Sequence, residues 1–473
     1  MKLIIASILT SFLFTCCNSK PKTADTAYFG GEIVNPNNNY ITIYSNETER
    51  DTIRLDAQNR FVYKINDLKA GLYYFTHGGE YQTLLIEPND SIMLRLNSSD
   101  FDESLVYTGI GSKKNNFLIK AFLNDEVVSK KFYELQHLEP EEFEKHINKA
   151  RQQRLENLER FVVKQETSLL FKKIAEAGIN YSYYTYKEKY PFGYFGNNKL
   201  IHYKDLPDGF YDYRTDVNFN DVSLSGVYSY NKFMDWYFHN TALKEYYHDG
   251  SHHKFDRQAL DYNLEKLRLI DSVIDNKTIK DYVLKHATRV FVYNSSSAEQ
   301  SKSMLDSYLK KSTNEFDKTY IKNLVNSTLS LYPGNKVPNI DIVDFNSNVI
   351  DLHDVIKAPT VIYCWSSNFK FSYTNNHYMM KNLKVKYPNM DFIAININDM
   401  NTSSWKKTLN LLKYPTENEY MFKNPNEAIQ KFAIANSQKV LIVDNNGYII
   451  KSNTDLFSTD IDELIEATLA QTH

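Results

Sequence analysis

Residues 360–372 read TVIYCWSSNFKFS. The first six show no polar/apolar alternation. Such a run suits a strand covered on both faces, as in a parallel sheet. The polar residues after it read as the first turn of a helix. Cys364 lies inside the apolar run. It is one of three cysteines in 473 residues, and the other two, Cys16 and Cys17, sit together near the amino end. Beyond that end the chain has no second thiol, so an internal disulfide or a paired dithiol is excluded there.

Working outward, the surrounding pattern alternates strand and helix. Residues 331–338 (LYPGNKVP) form a Pro/Gly linker. Residues 340–345 and 349–352 form a hairpin around Asn346, Ser347 and Asn348. Helix is expected over 378–387, 405–412 and 460–469, and buried strand over 391–396 and 439–443. Asp444-Asn445-Asn446-Gly447 is a tight turn, with Asn446 and Gly447 expected to supply the positive φ values of a two-residue hairpin.

Pro338, Asp344 and Leu352 of the opening hairpin, Trp365, Ile395-Asn396, and Asp444 with Gly447 together resemble the TlpA-type thioredoxin-like family of membrane-anchored thiol-disulfide reductases. The resemblance covers about residues 337–470. It implies a strand ending W-x-x-x-C-x-x-C, which places Phe369 and Ser372 at the two cysteine positions. It also implies a cis-proline six residues before the turn aspartate, where this chain has Gln438. Disulfide reduction needs a low-pKa thiolate at a helix start and a second thiol within a turn to resolve the mixed disulfide. Phe369 offers no nucleophile, and Ser372 offers a hydroxyl without a base. Gln438 accommodates a trans peptide, which alters the substrate-facing edge. Cys364, one residue before Trp365, is expected to be a buried, inert thiol and remains a weak candidate for single-thiol chemistry. A peroxidase arrangement is disfavoured, because the threonine position three residues before Cys364 holds Val361. His377 stands five residues after Ser372, on a different helix face, and is expected at the surface.

The remainder of the chain divides in two. Residues 28–110 carry short alternating runs and turn residues, such as Pro88-Asn89-Asp90, that imply about seven strands in a small sandwich or barrel. Phe29, Gly31, Ile33 and Asn35, then Asp51, Thr52, Leu55 and Asp56, then Phe61, Gly71, Leu72 and Tyr73, and finally Ile86, Pro88, Asp90 and Ile92 resemble the β-domain that precedes thioredoxin-like domains in a group of envelope lipoproteins. Residues 113–331 change to helical spacing, as in Phe143, Ile147 and Ala150 or Leu260, Leu264 and Leu267. Within them, residues 184–222 read as a long Tyr- and Asp-rich connection. It is expected to wrap against its neighbours, with an aromatic peptide or glycan platform as the alternative. His252-His253 is expected to be a solvated loop and not a metal half-site.

Lys2, the apolar run 3–14 and TCCNSKPK resemble a lipoprotein signal, with Cys17, or Cys16, as the lipidated residue. The expected layout is therefore a signal over 1–17, a tether over 18–27, an all-β domain, a mostly helical region, and an α/β thioredoxin-like domain over 337–473. A formal net charge of −3 gives no support for nucleic-acid binding. The expected partners are a membrane, through the lipid, and an envelope protein or peptide. No cofactor or metal is expected. The expected activity is a redox-inactive binding or structural module, with a TlpA-type thiol-disulfide oxidoreductase as the alternative.

Overall fold

The computed structural model describes residues 26–45, 50–194, 206–247, 255–367, 370–398 and 402–470. Cys16, Cys17, His252, His253 and Phe369 lie outside them. The first domain contains β1 (Ala27–Val34), β2 (Tyr40–Tyr44), β3 (Asp51–Arg54), β4 (Arg60–Ile65), β5 (Gly71–His77), β6 (Glu80–Ile86), β7 (Ser91–Asn97) and β8 (Val106–Ile110). Two four-stranded sheets, β4-β1-β7-β8 and β3-β2-β5-β6, enclose one core that includes Phe29, Ile41, Phe75, Leu84 and Ile92. Among the described residues there are eight strands here, where about seven are expected. β8 carries a single inward side chain, Tyr107, so its sequence gives little alternation to read.

The helical region comprises α1 (Ser112–Leu135), α2 (Pro140–Gln165), α3 (Leu169–Tyr194), α4 (Tyr228–Tyr246), α5 (Leu260–Val273), α6 (Lys277–Asn294), α7 (Ala298–Lys311) and α8 (Glu315–Ser330). The start of α1 joins it to both sheets. Asn115 donates to the Leu85 carbonyl at 2.9 Å and accepts the Leu85 N–H at 2.7 Å. Asn116 does the same to Tyr107, at 2.7 and 2.9 Å. β6 and β8 are edge strands of the two sheets, so each amide side chain stands in for the missing neighbouring strand. Lys114 adds 2.6 Å contacts to Glu87 and Asp90. Gly111, at φ +90°, makes the approach possible, because a Cβ there would meet the Asp90 carboxylate at 2.5 Å.

The expected connection over 184–222 is partly helix. α3 runs through Pro191 to Tyr194, where proline costs only a last-turn hydrogen bond. Tyr181, Tyr183, Tyr184, Tyr186 and Tyr190 are buried, and Tyr184 stacks on Tyr213 at 4.3 Å. Rings turned inward in this way remove the aromatic platform at this place. The chain after α3 is held by Glu188, which is fully buried. Its carboxylate accepts from Arg214 at 2.6 and 2.8 Å, Tyr213 at 2.7 Å and Asn240 at 2.6 Å. A buried charge is tolerated when it is paired and its remaining lone pairs are occupied.

The last domain contains β9 (Asp341–Asp344), β10 (Val349–Asp351), α9 (Leu352–Val355), β11 (Thr360–Trp365), α10 (Lys370–Lys386), β12 (Asp391–Asn396), α11 (Thr402–Leu412), β13 (Glu419–Phe422), α12 (Pro425–Lys431), β14 (Val440–Val443), β15 (Ile449–Thr454) and α13 (Ile461–Ala470). The sheet order is β10-β9-β13-β12-β11-β14-β15. β11 is an interior strand, parallel to β12 and antiparallel to β14. β13 and α12 were not legible in the sequence, because four strand residues are too few for a pattern. The turn after β14 also differs from expectation. Gly447 takes φ +81° but Asn446 does not, and Asp444 Oδ1 accepts the N–H groups of both Asn446 and Tyr448 at 2.8 Å. An aspartate side chain thus does part of the turning that a two-residue loop assigns to backbone alone.

Replacing Asn115 with alanine strands the buried N–H of Leu85 and should cost about 1–3 kcal/mol in chemical denaturation. The cost should exceed that of Asn116→Ala, whose site is only half-buried. Equal, negligible losses would remove these side chains from the account of the domain junction.

Candidate functional site

All six residues of β11 are buried. Their side chains alternate. Ile362 and Cys364 join a core with Ile393, Ile395, Leu441 and Phe432. Val361, Tyr363 and Trp365 join the opposite core with Leu383, Tyr387 and Trp405. α10 packs on the Trp365 face, so the Cys364 thiol lies on the side of the sheet away from the helix start that would activate a thiolate. Burial pushes the Cys364 thiol up to about 12 and outweighs the opposing pull of the Lys439 ammonium, which burial itself lowers to about 8. At pH 7 such a thiol is ionised in about one molecule in 10⁵.

Ser372 is buried in the first turns of α10, and its Oγ accepts the Ser366 N–H at 2.9 Å. The hydroxyl fixes the strand-to-helix turn and is not presented to solvent. Ser367 closes the same turn, donating through N–H and Oγ to Asn398 Oδ1 at 2.6 and 2.8 Å. Gln438 is half-buried beside β14, and all described peptide bonds, its own included, are trans. Its N–H is taken by Asn436 Oδ1 at 2.9 Å. Asn376 fastens this loop to the central strand, donating to the carbonyls of Cys364 at 3.1 Å and Ser437 at 3.2 Å. Ser372, Gln438 and Cys364 therefore surround one end of β11, but they do not converge on a common reacting point.

His377 is not at the surface. It is buried, and its Nε2 lies 2.9 Å from Glu419 Oε1. Trp365 Nε1 donates to Glu419 Oε2 at 3.2 Å, and the Tyr414 ring stacks on His377 at 4.2 Å. The five-residue spacing does separate His377 from Ser372, but it turns the histidine towards β13 and not outwards. Sequence reasoning missed Glu419 altogether, since its strand was not recognised and a lone glutamate carries no pattern. Burial holds the Glu419 carboxyl above the usual carboxylate range, against the downward pull of His377 and Trp365. His377 Nδ1 and the Tyr363 hydroxyl are buried without a hydrogen-bond partner. Beside Trp365 at the end of β11, then, lies a buried His–Glu pair with aromatic walls. Among the described residues, no group of three or more His, Cys, Asp or Glu is placed to hold a metal. No helix among them is long and apolar enough to cross a membrane.

A central strand followed by a helix and a parallel strand, then an antiparallel hairpin and a closing helix, defines the class: the domain is thioredoxin-like. Among solved structures, the chain is similar to the thioredoxin domain of a thiol-disulfide oxidoreductase from Bacteroides vulgatus, at 17% identity and TM-score 0.26, over 30% of this chain and 100% of that one. It is similar to a thioredoxin-like protein from Bacteroides caccae, at 12% identity and TM-score 0.34, over 54% and 89%. It is also similar to a thiol:disulfide interchange protein from a Bacteroides species, at 17% identity and TM-score 0.25, over 30% and 97%. No protein-family model and no curated protein matches the sequence.

Removing one member of a buried pair leaves the other uncompensated, whereas replacing both with apolar side chains does not. Glu419→Ala should lower stability by about 3–5 kcal/mol. The double variant His377→Phe/Glu419→Leu should lose clearly less in the same denaturation experiment. A double variant as unstable as the single one would contradict a closed, structural His–Glu pair.

Proposed function

We propose that this chain is a lipid-tethered protein of the cell envelope whose thioredoxin-like domain serves as a binding or structural module and does not exchange disulfides. One observation carries the reading. The only cysteine beyond the amino-terminal pair, Cys364, is buried on the sheet face away from α10, with its thiol raised to about 12. Dithiol exchange requires a second thiol to resolve the mixed disulfide, and no residue of this domain supplies one. The ordered, buried roles of Ser372 and Asn376 support the same reading, because they hold the strand end shut. Tethering through Cys17, or Cys16, rests on the sequence pattern at the amino end, and an envelope protein or peptide is the proposed partner of the domain.

The topology is also that of thiol-disulfide oxidoreductases, so the decisive assay is theirs. The purified chain should reduce insulin disulfides no faster than buffer with dithiothreitol, and Cys364→Ala should leave that baseline unchanged. Reduction above the baseline that disappears in Cys364→Ala would overturn the proposal.

A further inference from the structure

A well-formed opening lies outside the thioredoxin-like domain. It is a cleft of about 490 Å³ between the β-domain and the helical region, bounded by β5, β6, the chain after β7, α1, α2, α3 and α4. That volume lies within the range of small-molecule sites. Its floor is apolar, with Leu72, Ile119, Phe122, Ile174 and Val227 among its walls.

Four carboxylates line the cleft: Asp125, which Arg154 engages, and three others, Glu80, Asp102 and Glu126. Among the described residues no lysine or arginine pairs with these three, and Asp102 accepts only from Gln82 Nε2, at 2.9 Å. Three basic residues, Lys130, Arg154 and Lys232, also line the cleft, and none of them forms an ion pair with Glu80, Asp102 or Glu126. Arg154 is engaged by Asp125 at 2.9 Å, and Lys232 lies over the Tyr228 ring at 5.2 Å. Burial, and then the charges of their acidic neighbours, hold the Glu80 and Asp102 carboxyls above their usual range. A cation placed among them would relieve that repulsion.

Three further features point to an occupant. Ser229 lines the cleft, and its buried hydroxyl has no hydrogen-bond partner among the described residues. Buried hydroxyls are ordinarily satisfied. Gly178 of α3 also lines it, and a Cβ there would meet nothing within 4 Å. Tyr81 and Tyr228 line it with rings about half exposed, and aromatic faces attract cations. The described carboxylates do not form a metal-holding group, which favours an extended organic cation over a bare ion.

We propose that this cleft binds a small organic cation with an apolar body. Its ammonium or guanidinium group lies among Glu80, Asp102 and Glu126, its body covers the apolar floor, and a polar atom meets the Ser229 hydroxyl. The cation is either a free amine or the amino end of a short peptide. The inference does not depend on the reading of the thioredoxin-like domain, so neither falls with the other.

The test is calorimetric titration of the whole chain with phenethylamine, with its neutral isostere 2-phenylethanol, and with the tripeptide amide Phe-Ala-Ala-NH₂. The amine should bind at least about tenfold tighter than the alcohol. Glu80→Gln/Asp102→Asn should weaken amine binding by about tenfold or more. Gly178→Leu, which fills the cleft without changing charge and suits a helix, should abolish binding while the circular dichroism spectrum is kept. Tighter binding of the peptide assigns the cation to a peptide end, and tighter binding of phenethylamine to a free amine. No saturable binding of either below about 10 mM, equal binding of amine and alcohol, or binding unchanged by both variants would overturn the proposal.

Discussion

Burial of β11 on both faces is the constraint on which the last domain depends. An interior strand of the seven has neighbours on each side, so its backbone groups are satisfied within the sheet. Its side chains must then be apolar in both directions, and TVIYCW meets that demand. The alternation of the pleat decides the chemistry. It sends Trp365 towards α10, where it holds Glu419, and sends Cys364 to the other side, among Ile393, Leu441 and Phe432. One thiol in that place behaves as a small apolar side chain. The end of the strand, where related chemistry would occur, is tied down by Ser372, Ser367 and Asn376.

The other parts of the chain are joined by comparable means. Two successive asparagines at the start of α1 bond the backbone of β6 and β8, so the helix cannot move without exposing two sheet edges. Further along, Glu188 gathers Arg214, Tyr213 and Asn240 and draws the chain after α3 onto the helices. Both are polar arrangements in buried surroundings, where partial satisfaction is costly and full satisfaction fixes a single arrangement. The cleft beside α1 differs: among the described residues Glu80, Asp102 and Glu126 have no cationic partner, and the Ser229 hydroxyl has no hydrogen-bond partner.

Much of this architecture is legible in the sequence. The apolar run over residues 360–365, the opening hairpin, the strand at 391–396 and the helical spacing of Phe143 and Ile147 each announce an element through burial pattern. The inert setting of Cys364 follows from its neighbours in the chain. What was not legible depends on distant contacts. β13 is four residues long, and its Glu419 acquires meaning only when folding brings it to His377, 42 positions away. His377 alone gives no sign of burial. The stretch 184–222 reads as a connection because aromatic and turn residues are mixed there, yet packing against α4 carries α3 on to Tyr194. The cleft, too, has no contiguous motif, since its walls come from separate parts of the chain between Leu72 and Lys232.

Accessibility of the Cys364 thiol tests the central claim most directly. With Cys16 and Cys17 replaced by serine, the native protein should react with a thiol reagent such as dithionitrobenzoate orders of magnitude more slowly than the same protein in guanidinium chloride, and should release one equivalent only on unfolding. Rapid stoichiometric labelling of the native protein near neutral pH would place a reactive thiol at the surface and contradict the account.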